Sequence, residues 1–448
     1  MGDSPVNRIA LLQTVGTGGD NNPVWEGLAF TVQQLKPSLL YQLCSKLTRE
    51  QTIPRFDASA GTALKGMERR FDVCEDPDKV EDLSLAYGRL IDALRDEHPD
   101  LAIEADFTSG TKAMSAALAM AAASRGITRL HYAVGARDSS GRATSTERIV
   151  SIAGADLLGD ARAIELGRVF DLGQFAAVIA GCDGLLDGGR ISDALVRARL
   201  ESLRFMARAY DAMDRFDWKT AFAILRDYRK HACLASSGWR TETIGAQVPH
   251  VKACREATRL TSEFLVDLLA NAERCIDRGR FDDAVARLYR LCEAIGQARL
   301  YSHRIDNTEH APRKTLEQLA PKWAETYRNW RRSKGVEFAK LGARDNIDIL
   351  RECGDPVGED IHVAYHGTEG SREAGQLQNA LERRNRSLLA HGFLPVEREH
   401  AEDLAAQMRA HLQHHLETCE EHLADLLKQA RFLPCPWTAG PSPAPAAL

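Results

Sequence analysis

The first 155 residues alternate short apolar runs with stretches whose apolar positions recur every three or four residues. The short runs predict buried strands at Arg8–Gly16, Ser38–Ser45 and Leu101–Phe107, and later in RLHYAVG and TERIVSI. The stretches between them predict helices, among them an alanine-rich one that ends at Gly126. Strands that alternate with helices in this way indicate an α/β domain with a doubly wound, parallel sheet.

From about Asp156 onward the strand-like runs give way to helical spacing with many arginine and glutamate pairs, which predicts an all-α region. The last residues are rich in proline and alanine and predict disorder. The predicted boundaries are an α/β domain at residues 1–155, a linker region at 156–195, a helical domain at 196–432 and a disordered tail at 433–448.

Composition narrows the class of protein. The 448 residues are 44% hydrophobic and 27% charged, and no apolar run approaches the roughly 20 residues of a membrane helix. The N-terminus lacks the pattern of a secretion signal, so a cytoplasmic protein is expected. Ten cysteines without a CxxC pair suggest neither a zinc knuckle nor a redox pair. The net charge of −5 disfavours a broad nucleic-acid surface, so any such contact should be confined to a cleft.

Two loops rich in glycine and hydroxyl groups each follow a predicted strand and precede a predicted helix. Parallel sheets bind ligands beyond the carboxyl ends of their strands, and helix N-termini attract anions. The second loop ends in Lys112, which adds a positive charge. The loops therefore predict a phosphate-binding site, although neither the P-loop nor the GxGxxG pattern is present. The candidate residues are Thr14, Gly16, Thr17, Gly18, Gly19, Asp20, Thr108, Ser109, Gly110, Thr111 and Lys112.

A helical stretch at residues 372–393 places an arginine and a histidine on its own apolar stripe. The apolar positions are Ala374, Leu377, Leu381 and Leu388. Continued at helical spacing, the stripe includes Arg384 and His391, which lie about 20° apart around the helix and roughly 10 Å apart along it. Two such side chains can converge on one phosphate, although a histidine buried in the core remains an alternative. Arg386 would lie about 140° from His391 in a regular helix.

A family resemblance joins these motifs. The segment RNRSLLAH, from Arg384 to His391, resembles the R-x(4–6)-H signature of HEPN ribonucleases, with polar Asn385 directly after the arginine. The segments DFTSGTKAMSAALAMAA and TVGTGGDNNP are similar to the CARF domains of type III CRISPR accessory proteins. DRGRFDDAVARLYRLCEAIGQ also resembles the helical region of such proteins. The resemblance covers most of the chain, with its parts in the expected order.

The resemblance implies a Rossmann-like CARF domain that binds a cyclic oligoadenylate messenger across a two-fold axis. It also implies a helical HEPN domain whose motifs pair in a homodimer and cut single-stranded RNA. No metal or other cofactor is implied, because the RNA 2′-hydroxyl attacks the adjacent phosphorus and leaves a cyclic phosphate and a 5′-hydroxyl. The candidate loops would hold the messenger's phosphates.

The resemblance also implies roles for the residues of the motif. Arg384 would stabilise charge on the phosphorane, His391 would act in proton transfer or bind the phosphate, and Asn385 would position the arginine or the RNA. Arg386 gives a shorter spacing of the same type, so either arginine can be the catalytic one. If the stripe lines the dimer cleft, its leucines 377, 381 and 388 pack across the two-fold axis.

Other readings remain open. A ligand-sensing transcription regulator would need a basic recognition helix, and no clear one stands out. A metal-dependent nuclease would need clustered acidic residues on strands, and the C-terminal part has few strands. A non-catalytic helical interaction protein would make the polar stripe structural. His411 and His415, four residues apart, are a possible metal pair, but the pattern favours a solvated helix face.

Overall fold

The computed structural model describes residues 8–19, 23–127, 129–136, 139, 145–187, 191–331, 337–367, 375, 377–379, 382 and 394–438. The chain divides into two compact units. The α/β unit contains Met1–Gly167 and Ala180–Glu201, and the helical unit contains Arg168–Ile179 and Ser202–Leu448.

The strands are β1 (Ile9–Thr14), β2 (Leu39–Ser45), β3 (Glu68–Cys74), β4 (Ala102–Asp106), β5 (Arg129–Val134), β6 (Arg148–Ala153), β7 (Ala311–Pro312) and β8 (Phe338–Ala339). The first helices are α1 (Val24–Leu35), α2 (Lys46–Ala60), α3 (Val80–Glu97), α4 (Lys112–Ser124), α5 (Gly154–Asp171), α6 (Phe175–Leu186), α7 (Ala194–Asp214), α8 (Trp218–Leu225) and α9 (Ala232–Ser236). The later helices are α10 (Thr241–Glu256), α11 (Ser262–Asp277), α12 (Phe281–Ser302), α13 (Arg313–Leu319), α14 (Pro321–Arg331), α15 (Ala343–Glu352), α16 (Pro356–His366), α17 (Arg398–Glu417) and α18 (Leu423–Ala430).

The α/β unit is built on a six-stranded sheet in the order β3-β2-β1-β4-β5-β6. The first five strands in this order are parallel, which confirms the doubly wound α/β prediction. The edge strand β6 runs antiparallel to β5, so the sheet is mixed rather than purely parallel. The described residues between β5 and β6 form no helix, and a short connection of this kind favours an antiparallel pair.

Side chains alternate between the two faces of the sheet, as the pleat requires. Leu12 of β1 belongs to a buried cluster with α3 and α4, whereas its neighbour Leu11 belongs to one with α1 and α2. Helix α2 and strand β3 form although the sequence pattern does not predict them. Helices therefore cover both faces, which buries most residues of the central strands β1 and β2.

Residues 156–195, predicted as a linker region, contain most of α5 and all of α6, and the division between the two units passes through both helices. This corrects the predicted boundaries. The physical reason is apolar burial within the helical unit. Phe170 and Phe175 are 2% and 4% exposed, and their ring centroids are 5.3 Å apart.

The helical unit has a large core whose buried side chains come from α11, α12, α16, α17 and α18. A smaller cluster surrounds α13, α15 and the short β7–β8 pair. Among the helices that the structure describes, none is both long enough and apolar enough to cross a membrane.

The start of the predicted disordered tail is ordered, because residues 433–438 pack within the helical unit. Cys435 is fully buried, and its backbone N–H donates to Asp171 Oδ1 at 2.7 Å. The Leu433 N–H donates to the Tyr210 hydroxyl at 2.9 Å. Residues 439–448 lie outside the described part, so the prediction of disorder is corrected for 433–438 only.

Candidate functional site

The carboxyl ends of β1 and β4 form the point where the sheet reverses its winding. These strands are neighbours, yet the helices that follow them pack on opposite faces, α1 with α2 and α4 with α3. The chain therefore leaves β1 and β4 toward opposite faces of the sheet, and open α/β sheets bind ligands in the crevice beside such a point. Both predicted phosphate loops leave the sheet here, although Asp20 lies outside the described residues.

Hydrogen bonds join the two loops to each other. The Gly16 N–H donates to Ser109 Oγ at 3.0 Å, and the Thr14 hydroxyl donates to the Ser109 carbonyl oxygen. Thr52 of α2 donates to the Gly16 carbonyl oxygen at 3.0 Å. A Cβ at Gly16 would lie 2.6 Å from the Gly110 nitrogen, so only glycine allows this close approach. Thr14, Gly16 and Ser109 thus hold the crevice together.

The two threonines of the second loop also serve the fold. The Thr108 hydroxyl donates to the Asp106 carboxylate and accepts the Ala133 N–H at 2.8 Å. Thr111 is the N-cap of α4, where its side-chain oxygen accepts the Met114 N–H at 3.1 Å. These hydroxyl groups set the shape of the loop and the start of α4.

A buried polar row under the crevice was not found by sequence reasoning. Gln13 Nε2 lies 2.9 Å from Asp106 Oδ2, and Gln42 Nε2 lies 3.2 Å from Gln13 Oε1. Arg69 donates to Gln42 Oε1 at 2.8 Å. The signal that could have found this row is a glutamine inside each of two strongly apolar strands, because a buried amide needs partners.

The remaining candidate residues form the open side of the crevice. Thr17, Gly19 and Lys112 are exposed, and Gly18 and Gly110 are partly exposed. Lys112 is the first residue of α4, whose first N–H groups have no partners within the helix. A positive side chain beside a helix N-terminus suits a phosphate or another anion. The predicted set therefore separates into residues that build the crevice and residues that a ligand can reach.

The candidate catalytic residues Arg384, Asn385, Arg386 and His391 lie outside the described residues. The described part of the same stretch includes Leu377, which is 0% exposed in the core of the helical unit. Leu377 packs within its own chain, which corrects the expectation that it packs across a two-fold axis. The physical reason is that side chains of α12, α16 and α17 in the same core already bury it.

A buried charge centre joins α12 to the start of α16. Asp355, the N-cap of α16, accepts hydrogen bonds from Arg299 Nη2 at 2.7 Å and from the Gly358 N–H at 2.9 Å, and His303 Nε2 lies 3.3 Å away. Burial would raise the pKa of Asp355, but the hydrogen bonds from Arg299 and Gly358 outweigh it and hold the pKa below its usual range. The charged carboxylate therefore stabilises this junction.

The histidine pair of α17 is not on a solvated face, so that prediction is wrong. His415 is 6% exposed, and burial, helped by the positive charge of Arg299, lowers its pKa to about 4. His411 is partly buried, and burial lowers its pKa as well. Both residues lie on α17, which packs against α12 in the core, and His415 is the more deeply buried of the two.

Within the described part of the chain, one group of side chains has the ligand types and spacing of a metal site: Asp348 of α15 with His362 and His366 of α16. Their ligand atoms lie within 4.8 Å of one another. Sequence reasoning missed this group because Asp348 is 14 positions before His362 and the residues meet only when α15 and α16 pack.

Comparisons with known proteins agree with this architecture. Residues 254–414 match the family model described as the Csm6 HEPN domain. The fold is similar to that of Enterococcus italicus Csm6 bound to cyclic hexa-2′-fluoro-hexa-dAMP, with a TM-score of 0.58, 12% sequence identity and coverage of 92% of this chain and 95% of that one. None of the curated proteins matches the chain significantly.

The two matches support the same conclusion from different parts of the molecule. The family model covers helices from the end of α10 to most of α17, and the structural likeness extends over both units. Residues 254–414 therefore resemble the HEPN domain of Csm6, and the two units together have the fold of a solved Csm6.

Proposed function

We propose that this protein is a single-stranded RNA endoribonuclease of type III CRISPR defence that a cyclic oligoadenylate activates and that needs no metal for catalysis. The observation that carries the proposal is the match of residues 254–414 to the Csm6 HEPN domain, because this range contains the Arg384–His391 motif. We place the reaction in the cytoplasm.

The messenger would bind at the crevice between β1 and β4. Its phosphates would face the exposed parts of the loops at Thr17–Gly19 and the N-terminus of α4, and Lys112 would supply a charge-assisted contact. The similar E. italicus protein was solved with a cyclic adenylate analogue, which supports a ligand of this class.

The nuclease site would form from Arg384, Asn385 and His391. A guanidinium group suits the charge that develops on a phosphorane, because its fork of N–H donors matches phosphate oxygens. His391 would move a proton between the 2′-hydroxyl, the phosphate and the leaving 5′-oxygen. The attack of the RNA 2′-hydroxyl on the adjacent phosphorus forms a 2′,3′-cyclic phosphate and releases a 5′-hydroxyl, so no metal-bound water is required.

The test is RNA cleavage measured with a panel of cyclic oligoadenylates of different ring sizes, with EDTA present throughout. Cleavage that depends on one member of the panel is expected, with cyclic phosphate ends on the products. Cleavage that EDTA abolishes would contradict the metal-independent mechanism. If no member of the panel stimulates cleavage, the proposed activation is wrong.

A homodimer is expected in solution, because a symmetric cyclic messenger and a composite HEPN site both need a two-fold axis. Light scattering coupled to gel filtration at micromolar concentration should give twice the mass of one chain, with and without messenger. A monomer mass under both conditions would exclude the composite site.

Lys112→Ala is expected to weaken messenger binding by about 1.5–3 kcal/mol, because it removes one charged contact to a phosphate. A titration of cleavage against messenger should show a higher midpoint and the parental maximum rate. The control is Lys65→Ala. Lys65 is also exposed, but it precedes the amino end of β3, whereas Lys112 follows the carboxyl end of β4. Equal midpoints for Lys112→Ala and the parent would place the messenger elsewhere.

A further inference from the structure

A pair of histidines one helical turn apart faces a carboxylate on the neighbouring helix. His362 and His366 lie in the last turns of α16, and Asp348 lies in α15, which packs beside it. Asp348 Oδ1 is 2.9 Å from His366 Nε2 and 3.7 Å from His362 Nε2. The two imidazole rings are 4.4 Å apart between centroids. The three ligand atoms therefore converge on one small volume.

The dimensions of this group suit a tetrahedral metal ion. Zinc binds imidazole nitrogen and carboxylate oxygen at about 2.0–2.2 Å, so two ligand atoms of a tetrahedral site are roughly 3.3–3.5 Å apart. The two separations to Asp348 Oδ1, 2.9 and 3.7 Å, lie on either side of this range. Small rotations of the side chains would bring all three atoms to bonding distance.

A cavity open to solvent lies beside this group. Asp348 and His362 border a surface cavity of about 570 Å³. The same cavity is lined by the acidic Glu352 and Glu359, and also by Lys322 and Arg351. Solvent in the cavity can supply a fourth ligand, as in metal sites that keep an open position.

Two arginine side chains already lie close to the three candidate ligands. Arg344 Nε lies 3.6 Å from Asp348 Oδ2, and Arg351 Nη1 lies 3.3 Å from His362 Nε2. Arg351 can give up its contact to His362, since its Nε is also 3.6 Å from Glu359 Oε2. A dication would then replace the contact between Arg351 and His362. Glu359 would remain as the partner of the Arg351 guanidinium.

We propose that Asp348, His362 and His366 form a binding site for a transition-metal dication of the zinc class. Two imidazoles and one carboxylate favour zinc, nickel, cobalt or copper over magnesium and calcium, which prefer oxygen ligands alone. The site takes no part in RNA cleavage. The metal links α15 to α16 and fixes the last turn of α16.

The position of the site gives it a structural consequence for the helical unit. The chain returns against the end of α16 at Gly375, whose N–H donates to the Tyr365 carbonyl oxygen at 3.2 Å. A Cβ at Gly375 would lie 2.2 Å from the Ala364 carbonyl oxygen, so any residue larger than glycine would clash with α16 here. Leu377 enters the core two residues later. A metal on His366 would stabilise this crossing.

The test is titration of the full-length, tag-free protein with Co²⁺ and Zn²⁺ after chelator treatment and desalting. Calorimetry should give one metal ion per chain, and the cobalt spectrum should show d–d bands without thiolate charge transfer. Loss of a residue that only hydrogen-bonds to a metal ligand costs about 10–100-fold in metal affinity. Asp348→Asn and His362→Ala each change a ligand itself, so each should weaken metal binding by at least that range. The matched control is His422→Ala, because His422 is exposed and lies outside the group.

The melting temperature of each variant, measured in chelator, should match that of the parent. A lower value would show that the substitution has destabilised the fold and not only removed a metal ligand. His362→Gln replaces His362→Ala if the latter is unstable. No binding by the parent, parental affinity in the Asp348 and His362 variants, or a thiolate band in the cobalt spectrum would each overturn the proposal. RNA cleavage is not used as a readout, so failure here leaves the proposed ribonuclease function untouched.

Discussion

His391→Ala and Arg384→Ala are each expected to slow RNA cleavage a hundredfold or more at saturating messenger, while the dimer and messenger binding persist. Removal of one contact made only in the transition state commonly costs roughly 2.7–4 kcal/mol. The expectation rests on the helical spacing of residues 372–393, which aligns both side chains on one stripe. Neither substitution removes an apolar side chain, so the fold should survive.

Arg386→Ala is the matched comparison, since Arg386 would lie about 140° from His391 in a regular helix. All three variants should be assayed together, in EDTA, and their messenger affinities measured separately. Parental rates for both His391→Ala and Arg384→Ala would make the stripe structural and refute the ribonuclease assignment. An inactive Arg386→Ala beside an active Arg384→Ala would keep the chemistry and change the register of the helix.

Asp355→Ala is expected to lower the free energy of unfolding by about 3–5 kcal/mol, the usual cost of removing one partner from a buried ion pair. The side chain of Asp355 is 1% exposed, and its loss leaves the Arg299 guanidinium, 13% exposed, without its main acceptor. The N-cap hydrogen bond to Gly358 is lost as well. Urea unfolding followed by circular dichroism measures the change.

Asp360→Ala is the control for this experiment. Asp360 also pairs with a histidine, His414, but its side chain is 56% exposed, and exposed pairs contribute about 0–1 kcal/mol. Similar losses for Asp355→Ala and Asp360→Ala would show that the buried centre does not stabilise the unit as described.

Asp355 and His415 both contribute to the pH dependence of stability. The pKa of Asp355 is below its unfolded value, so its stabilisation is present above about pH 4 and is lost as the pH falls through the folded value. The pKa of His415 falls from 6.5 to about 4 on folding, so the unfolded chain takes up a proton first. The free energy of unfolding should therefore decrease as the pH falls from 6.5 to 4, because of His415. Below about pH 4 it should decrease more steeply in the parent than in Asp355→Ala, because only the parent has the Asp355 carboxylate to protonate.

Much of the α/β unit could be predicted because its central strands are continuous apolar runs. Helix α2 and strand β3 were missed for identifiable reasons. Helix α2 contains Pro54 and has little apolar periodicity. Strand β3 lies at the edge of the sheet, pairs only with β2, and carries charged residues such as Arg69 and Arg70 along its length. Edge strands commonly carry charged side chains, so β3 lacks the apolar run by which the central strands are predicted.

The sequence predicts the two candidate loops but not the hydrogen bonds within and between them. The sequence shows that threonine and serine follow β1 and β4, but not that Thr14 and Ser109 bond to each other rather than to a ligand. Likewise, the spacing of His411 and His415 is visible in the sequence, but the core that surrounds His415 depends on packing between α12 and α17. Distances along the chain do not reveal which polar groups already have partners.

The joined loops at the carboxyl ends of β1 and β4 have a consequence for signalling. The side-chain oxygens of Thr14 and Ser109 are hydrogen-bonded between the loops, and a Cβ at Gly16 would clash with Gly110, so the loops are held together by their own contacts. A messenger bound there as proposed would order few of these residues, so little of its contact energy would be spent on conformational entropy. The response should then begin at low messenger concentration and end when the messenger dissociates or is degraded, without a slow refolding of the sensor.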